Sequence, residues 1–387
     1  MHEGRMHESA EKGRGTKSKN ELLGRVRQTM QERGLADAES TVLLMVSGGS
    51  DSTALAYIAA ELHRQGCIGP LAILHVNHQT RSEASDADQV FVQGLAEKLD
   101  IPVFVCEIDV PAEVRRTGDN EEAVARRERY LAAHEALESL CRHTATPLAE
   151  GRIFTAHTQD DRVESFYMRS IVGTGPGGFR SMLYANGPVV RPLLDTSRDD
   201  LRNFIVRYEE SGNKAACDAE GNLWREDATN AHTDRFRAFV RHEIVPRAKE
   251  RNPQLLETLC RVMNLIGDEA DMLEQQAAEL EGAFVAWTES VESFAPDYPA
   301  GCTFAPGFAE VPLPLKRRVA VNVLQRMLGP DARVETASVE ALLAGFRDTG
   351  PISGYTANVQ GDLAVSANKR GVLVEPMGSY RARRKKS

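Results

Sequence analysis

The sequence predicts an α/β protein, a doubly wound parallel sheet followed by a smaller α+β domain. Three observations carry that prediction. Four apolar runs, Thr41 to Val46, Leu71 to Val76, Val103 to Ile108 and Arg152 to Ala156, each precede a stretch with helical apolar spacing. Strands alternating with helices form parallel βαβ units with helices on both faces. Two adjacent glycines, Gly48 and Gly49, occupy the tight turn between the first strand and its helix. Beyond Arg251 the pattern changes to a long helical stretch and then, from Ile352 to Val374, to alternation around a turn, the mark of a separate domain.

Taken in order, residues 1–38 read as an extension. The first 19 are charged and Gly-dotted and are expected to be disordered, with a short helical pattern around Leu22 to Met30. The first domain is expected over 39–250. Its helices fall over Asp51 to Arg64, Ser85 to Leu99, Asn120 to Leu140 and Thr158 to Val172, and a further helix runs through Tyr208 after the capping signal Asp195-Thr196-Ser197. Residues 211–234 are loop-like, and Arg235 to Lys249 is helical up to Ile244. A linker at Arg251-Asn252-Pro253 opens the second domain, 251–387. There Leu256, Leu259, Val262, Met263 and Ile266 mark the core face of a helix, and Asn368-Lys369-Arg370-Gly371 the turn of a hairpin.

Composition narrows the class. With 387 residues, 42% hydrophobic and 27% charged, the chain suits two soluble globular domains. No apolar run approaches the roughly 20 residues that span a bilayer, and the polar start lacks a signal-peptide core, so a cytoplasmic protein with no membrane partner is expected. Six scattered cysteines without a C-x-x-C pair argue against a disulfide framework or a zinc ribbon. The net charge of −9 argues against nonspecific polyanion binding by the whole surface, yet arginines cluster between Arg235 and Arg251. The basic tail, Arg381 to Lys386, reads as a solvated, disordered end.

The chemistry concentrates at strand ends. In Ser47-Gly48-Gly49-Ser50-Asp51-Ser52, the glycines let backbone N–H groups approach an anion, three hydroxyls can donate to phosphate oxygens, and the following helix adds its positive end. Asp51 suits a divalent cation bridging it to a nucleotide. The loop lacks the Gly-Lys-Ser/Thr of a Walker A sequence. The second strand ends in His75, Asn77 and His78, suited to nucleotide contact, with Arg81 able to neutralise a phosphate. After the fourth strand, His157, Asp161 and Glu164 fall at i, i+4 and i+7, as a metal site or as acceptors for a cationic amine. Ligands of such sheets lie beyond the strands' carboxyl ends, so the loops 47–52, 77–81 and 157–161 are expected to converge.

The loop 47–52 resembles the pyrophosphate loop of the N-type ATP pyrophosphatases, which cleave ATP to AMP and pyrophosphate. With HVNHQTR, EEAVARRERY, HTQDDRVES, RPLL before an Arg198 helix, and WREDATN leading to VRHEIVP, residues 43–246 resemble the tRNA(Ile)-lysidine synthetases. The resemblance implies an adenine-nucleotide PP-loop domain and an accessory tRNA-binding domain with a basic tail. It implies ATP-dependent attachment of free lysine to C2 of the wobble cytidine of tRNA(Ile) with a CAU anticodon, using ATP and Mg2+. ATP would meet Ser47, Gly48, Gly49, Ser50, Asp51, Ser52, His75, Asn77 and His78, with magnesium at Asp51. Asp161 and Glu164 look like the lysine-recognition pair, and Arg237 and Arg241 like arginines near the nucleobase or AMP. These four, with Asp51 and His157, form the expected catalytic set. Arg81, Arg126 and Arg129 are expected to touch tRNA or phosphate. Homodimerisation is left open.

The chain departs from the family's usual pattern at Arg162 and Ser165, where glutamine and threonine are usual, and at Ala238, where asparagine is usual. The effect of the extra arginine, and of the lost asparagine, on lysine or RNA contacts is left open. Two alternatives accompany this reading: a related tRNA 2-thiolase, disfavoured by the missing C-x-x-C, and a degenerate, non-catalytic binder of tRNA or nucleotide, disfavoured by the intact loop and carboxylates.

Overall fold

The structure is a computed structural model that describes residues 21–79, 83–226, 236–288, 301–329 and 332–385. The expectations for the first 19 residues and for Arg81 lie outside the described residues. The chain divides into two compact units, Met1–Ile266 and Gly267–Ser387.

In the first unit a helix over 21–32 (α1) leads to β1 (Thr41–Met45), α2 (Ser50–Arg64), β2 (Leu71–Asn77), α3 (Glu83–Leu99), β3 (Val103–Glu107), α4 (Val110–Thr117), α5 (Glu121–His143) and β4 (Gly151–Phe154). Then come α6 (Gln159–Val172), β5 (Ala185–Asn186), β6 (Val189–Val190) and α7 (Arg198–Glu210). The six strands form one sheet in the order β3-β2-β1-β4-β6-β5. Every neighbouring pair is parallel except the β5–β6 edge.

Period-two alternation builds a core on each face. Val42, Leu44, Leu71 and Ile73 pack in one cluster with residues of α1, α2, α3 and α7. Leu43, Ala72, Leu74 and Ile153 pack with α5 on the other face. The helix must approach closely there. A Cβ on Gly151 would lie 3.0 Å from Cys141 Sγ and Leu137 Cδ2, so glycine lets α5 settle onto β4.

Beyond α7 the helical path resumes as α8 (Phe236–Phe239), widens to a π turn at Val240–Ile244, and continues as α9 (Val245–Arg251). Asn252 caps α9, and α10 (Leu255–Phe284) begins three residues later, so the segment expected as a linker is a helix end. The two compact units divide within α10. Val163 of α6 packs with Val240, Val245, Leu256, Cys260 and Met263, which fixes the π turn against α6.

In the second unit, β7 (Val285–Thr288), β8 (Gly301–Phe304), β11 (Thr356–Val359), β12 (Leu363–Asn368) and β13 (Gly371–Pro376) form an antiparallel sheet in the order β11-β12-β13-β8-β7. Two helices, α11 (Leu313–Leu328) and α12 (Thr336–Leu343), share its core, and β9 (Phe346–Arg347) pairs with β10 (Gly350–Pro351). The expected hairpin is β12–β13, and it belongs to this larger sheet. The basic tail differs from expectation. Its described part forms the end of α13 (Met377–Lys385), because Met377 is buried and Arg383 donates to Glu375 (Nε to Oε1, 3.1 Å) and to Ser366 (3.0 Å).

Candidate active site

The carboxyl ends of β1, β2 and β4 open onto one cleft of about 1090 Å³. The loop Ser47 to Ser52 forms its floor. Gly48 has φ +94°, a conformation that L side chains rarely adopt, and its carbonyl accepts from Thr53 Oγ1 (3.1 Å) and from the backbone N–H of Arg225 (2.9 Å). Ser52 Oγ donates to Gly49 O (3.1 Å) and accepts from Ser47 N–H (3.2 Å). Gly49 caps α2 with no side-chain hydrogen bond, so the helix's first N–H groups are turned to the cleft without a side-chain cap.

From β2, His75 and Asn77 are buried. His75 Nδ1 lies 2.9 Å from the Val46 carbonyl and so carries the proton, which leaves Nε2 an acceptor, without a partner among the described residues. Burial lowers its pKa. The Asn77 amide donates to Gln89 (3.0 Å) and Asp86 (3.3 Å), which commits it to α3. His78 Nε2 accepts from Arg129 Nε at 3.2 Å. Burial, aided by that guanidinium, lowers its pKa to about 4. Arg126 and Arg129 of α5 line the same cleft, as does His157. The His157 ring bonds the Thr155 hydroxyl through Nδ1 (3.0 Å), and burial lowers its pKa to about 4.

Asp161 lines the far side of the cleft, and Glu164, one helical turn on, is buried and not among the lining residues. The helix begins at Gln159, not Thr158, because Thr158 and Asp161 form a reciprocal capping box. His157 therefore precedes α6 and is not on a helical face with the two carboxylates. Asp161 Oδ2 accepts from Thr158 N–H (2.9 Å), and Oδ1 accepts from Arg237 (2.9 Å) and Arg198 (3.4 Å). Burial pushes this carboxyl's pKa up, but Arg237 and Arg198 outweigh it and hold the value below the ordinary one. Glu164, 2% exposed, accepts from Arg237 Nε (2.9 Å) and twice from Arg241 (2.7 and 3.0 Å). Among the described residues no group of three His, Cys, Asp or Glu side chains could hold a metal. The metal alternative for His157, Asp161 and Glu164 thus falls, since arginines occupy the carboxylates.

Sequence reasoning missed the arginines that tie the walls together. Arg198, at the first position of α7, donates to Asp51 Oδ2 (3.0 Å) across 147 residues. Arg202 reaches Ser50 Oγ (3.3 Å). Arg225 bonds Asp88 (2.9 Å) and Asp218 (3.0 Å) beneath Gly48. Isolated arginines carry no spacing signal; only the resemblance pointed at Arg198. Arg162 does not meet the cleft. It is 1% exposed and bonds Tyr184 (3.1 Å), Asp195 (3.3 Å) and Asn264 (2.8 Å) on the opposite side of α6.

A glycine-serine loop between a parallel strand and its helix, opening on a cleft lined with arginines, defines a PP-loop domain. The model of that family matches residues 19–248, more than half of the chain, and the chain belongs to it. It is similar to tRNA(Ile)-lysidine synthases. To that of Thermus thermophilus it is 34% identical over 303 residues, 78% of this chain and 52% of the relative. To that of Dehalococcoides mccartyi it is 29% identical over 279 residues, 70% of this chain and 55% of the relative. The chain spans about half the length of these curated relatives. Among solved structures, a U34-tRNA thiolase from Methanococcus maripaludis aligns with a TM-score of 0.45 at 16% identity, over 64% of this chain and 78% of that one.

Proposed function

We propose that this chain joins free lysine to C2 of the wobble cytidine of a tRNA(Ile) with a CAU anticodon, at the expense of ATP. The observation that carries the proposal is that one cleft is lined by a phosphate-type loop at one end and by an acidic residue, Asp161, hydrogen-bonded to arginines at the other. Cytidine O2 attacks the α-phosphorus of ATP, and pyrophosphate leaves into the 47–52 loop. The ε-amine of lysine then attacks C2, AMP departs with O2, and the amine sheds a proton. His157, held uncharged by burial with a pKa of about 4, lines the cleft as a weak acceptor that passes the proton on to water.

Asp51 lines the cleft beside the hydroxyl of Ser50, a donor set that fits a magnesium ion shared with substrate phosphates better than an all-protein cage. Such an ion would supply charge neutralisation on the phosphates. Arg126 and Arg129 suit the RNA backbone, and the second unit, with its basic α13, suits a tRNA-binding accessory domain. No cysteine is among the described residues lining the cleft, which disfavours the thiolase alternative.

The test is incorporation of radiolabelled lysine into a tRNA(Ile) transcript with a CAU anticodon, with ATP and magnesium and with elongator methionine tRNA as control. Selective incorporation with AMP formation supports the proposal. ATP cleavage without incorporation points to another adenylated base and overturns it.

A further inference from the structure

The acidic pair is already occupied. Asp51, Asp161 and Glu164 face Arg198, Arg237 and Arg241, three carboxylates against three guanidiniums, in one connected set of ion pairs. Within this set the formal charges balance, so a phosphate or an ammonium that engages one of its members displaces a partner.

Arg198 stands where the two displacements meet. Its Nε is 3.0 Å from Asp51 in the phosphate loop, its NH2 is 3.4 Å from Asp161, and its NH1 is 3.9 Å from Glu164. The contacts to the acidic pair are longer than those of Arg237, at 2.9 Å to each carboxylate, and so are more readily given up. Phosphate oxygens entering over the loop compete for this guanidinium. Each contact it withdraws from Asp161 or Glu164 leaves carboxylate charge uncompensated and ready for an ammonium. An ammonium on the acidic pair, in turn, releases Arg198 toward the phosphates.

We propose that Arg198 is a positioning residue that couples the phosphate site to the amine site, so that nucleotide and lysine bind with positive, reciprocal cooperativity. The proposal rests on the lysine-ligase reading above and adds to it a coupling, each ligand engaging better once the other is present. Linkage requires that each ligand tighten the other by the same factor.

Isothermal titration on the full chain tests it. Lysine is titrated with and without magnesium and α,β-methylene-ATP, and the nucleotide with and without lysine. The expected result is a tightening of about tenfold or more, equal in both directions. In Arg198→Met, which keeps the aliphatic stem, the factor falls toward one; a merely structural loss would weaken both ligands and leave the factor unchanged. Arg198→Lys, which keeps a point charge, retains part of it. Lysine and nucleotide binding independently in the natural protein overturns the coupling while sparing the ligase reading. Failure of lysine to bind under any condition overturns the ligase reading and the coupling with it. A coupling factor undiminished in Arg198→Met overturns the assignment to Arg198.

Discussion

Glu164 holds Arg241 at two points, Nε to Oε1 at 2.7 Å and Nη2 to Oε2 at 3.0 Å, with the glutamate only 2% exposed. This is the fork geometry that makes an arginine–carboxylate pair directional as well as attractive. The same carboxylate also accepts from Arg237. Glu164 thus anchors two cations on the helical path of α8 and the π turn to α6.

Replacing Glu164 by alanine therefore does two things. It removes charge-assisted hydrogen bonds while leaving behind cations that are 25% and 41% exposed and can turn to water. The expected loss of stability is about 1.5–3 kcal/mol, below that for orphaning a fully buried charge. Denaturant unfolding measures it. In the lysine-incorporation assay the lysine KM should rise more than the ATP KM. A change confined to the ATP KM would contradict the amine-site reading.

Arg162 gives the opposite expectation, because it touches structure and not the cleft. Arg162→Ala should destabilise by about 3–5 kcal/mol, since it empties a large buried site and strips partners from Tyr184, Asp195 and Asn264. The guanidinium's Nε has no partner among the described residues, so the buried charge is incompletely satisfied. Arg162→Met, of similar reach and without the charge, should lose less than the alanine variant. Both should leave the lysine and ATP KM values near those of the natural protein wherever they remain folded. A KM change in the folded methionine variant would place Arg162 in the site after all.

How much of this was legible follows from particular residues. The convergence of loops 47–52 and 157–161 is legible because parallel strands aim their carboxyl ends at one edge, whereas the continuous apolar runs of β1 and β2 do not say which residue faces which core. Arg162 is a departure whose side of the helix the family pattern leaves open. It follows Asp161 on the same helix, where each residue turns the side chain by about 100°, so the neighbour of a cleft residue faces elsewhere. The capping box is written in the sequence as Thr158-x-x-Asp161, and it claims the same residues as the His-Asp-Glu spacing. The long-range arginines were beyond reach by pattern. Arg198 meets Asp51 across 147 residues, and only the fold brings those positions together.

His78 and His157 make stability depend on pH in a defined window. Burial lowers the folded-state pKa of His78 and of His157 from 6.5 to about 4. Between these limits the unfolded chain takes up protons that the folded chain refuses. Their contribution is intact above pH 6.5 and declines as the pH falls toward 4, by at most about 1.4 kcal/mol per pH unit for each ring. Urea midpoints across pH 7 to 4 should fall accordingly, and His78→Gln combined with His157→Gln should flatten the slope. An unflattened slope would mean that these rings titrate normally.

Asp51 separates chemistry from folding. Burial raises its pKa against the opposing pull of Arg198, so the fold disfavours its charge at neutral pH. Neutralising it should therefore cost the fold little, because a carboxylate held above its ordinary pKa contributes nothing favourable through ionisation. Asp51→Asn keeps the shape and an acceptor for Arg198, and its thermal midpoint should stay close to that of the natural protein. Pyrophosphate release in the presence of tRNA should nonetheless disappear, because the asparagine cannot share a cation with the phosphates. Release at the natural rate from a normally folded Asp51→Asn would remove Asp51 from the phosphate site and leave its pairing with Arg198 as a structural contact. Loss of release together with a collapsed midpoint would instead show that the Asp51–Arg198 pair holds the loop in place.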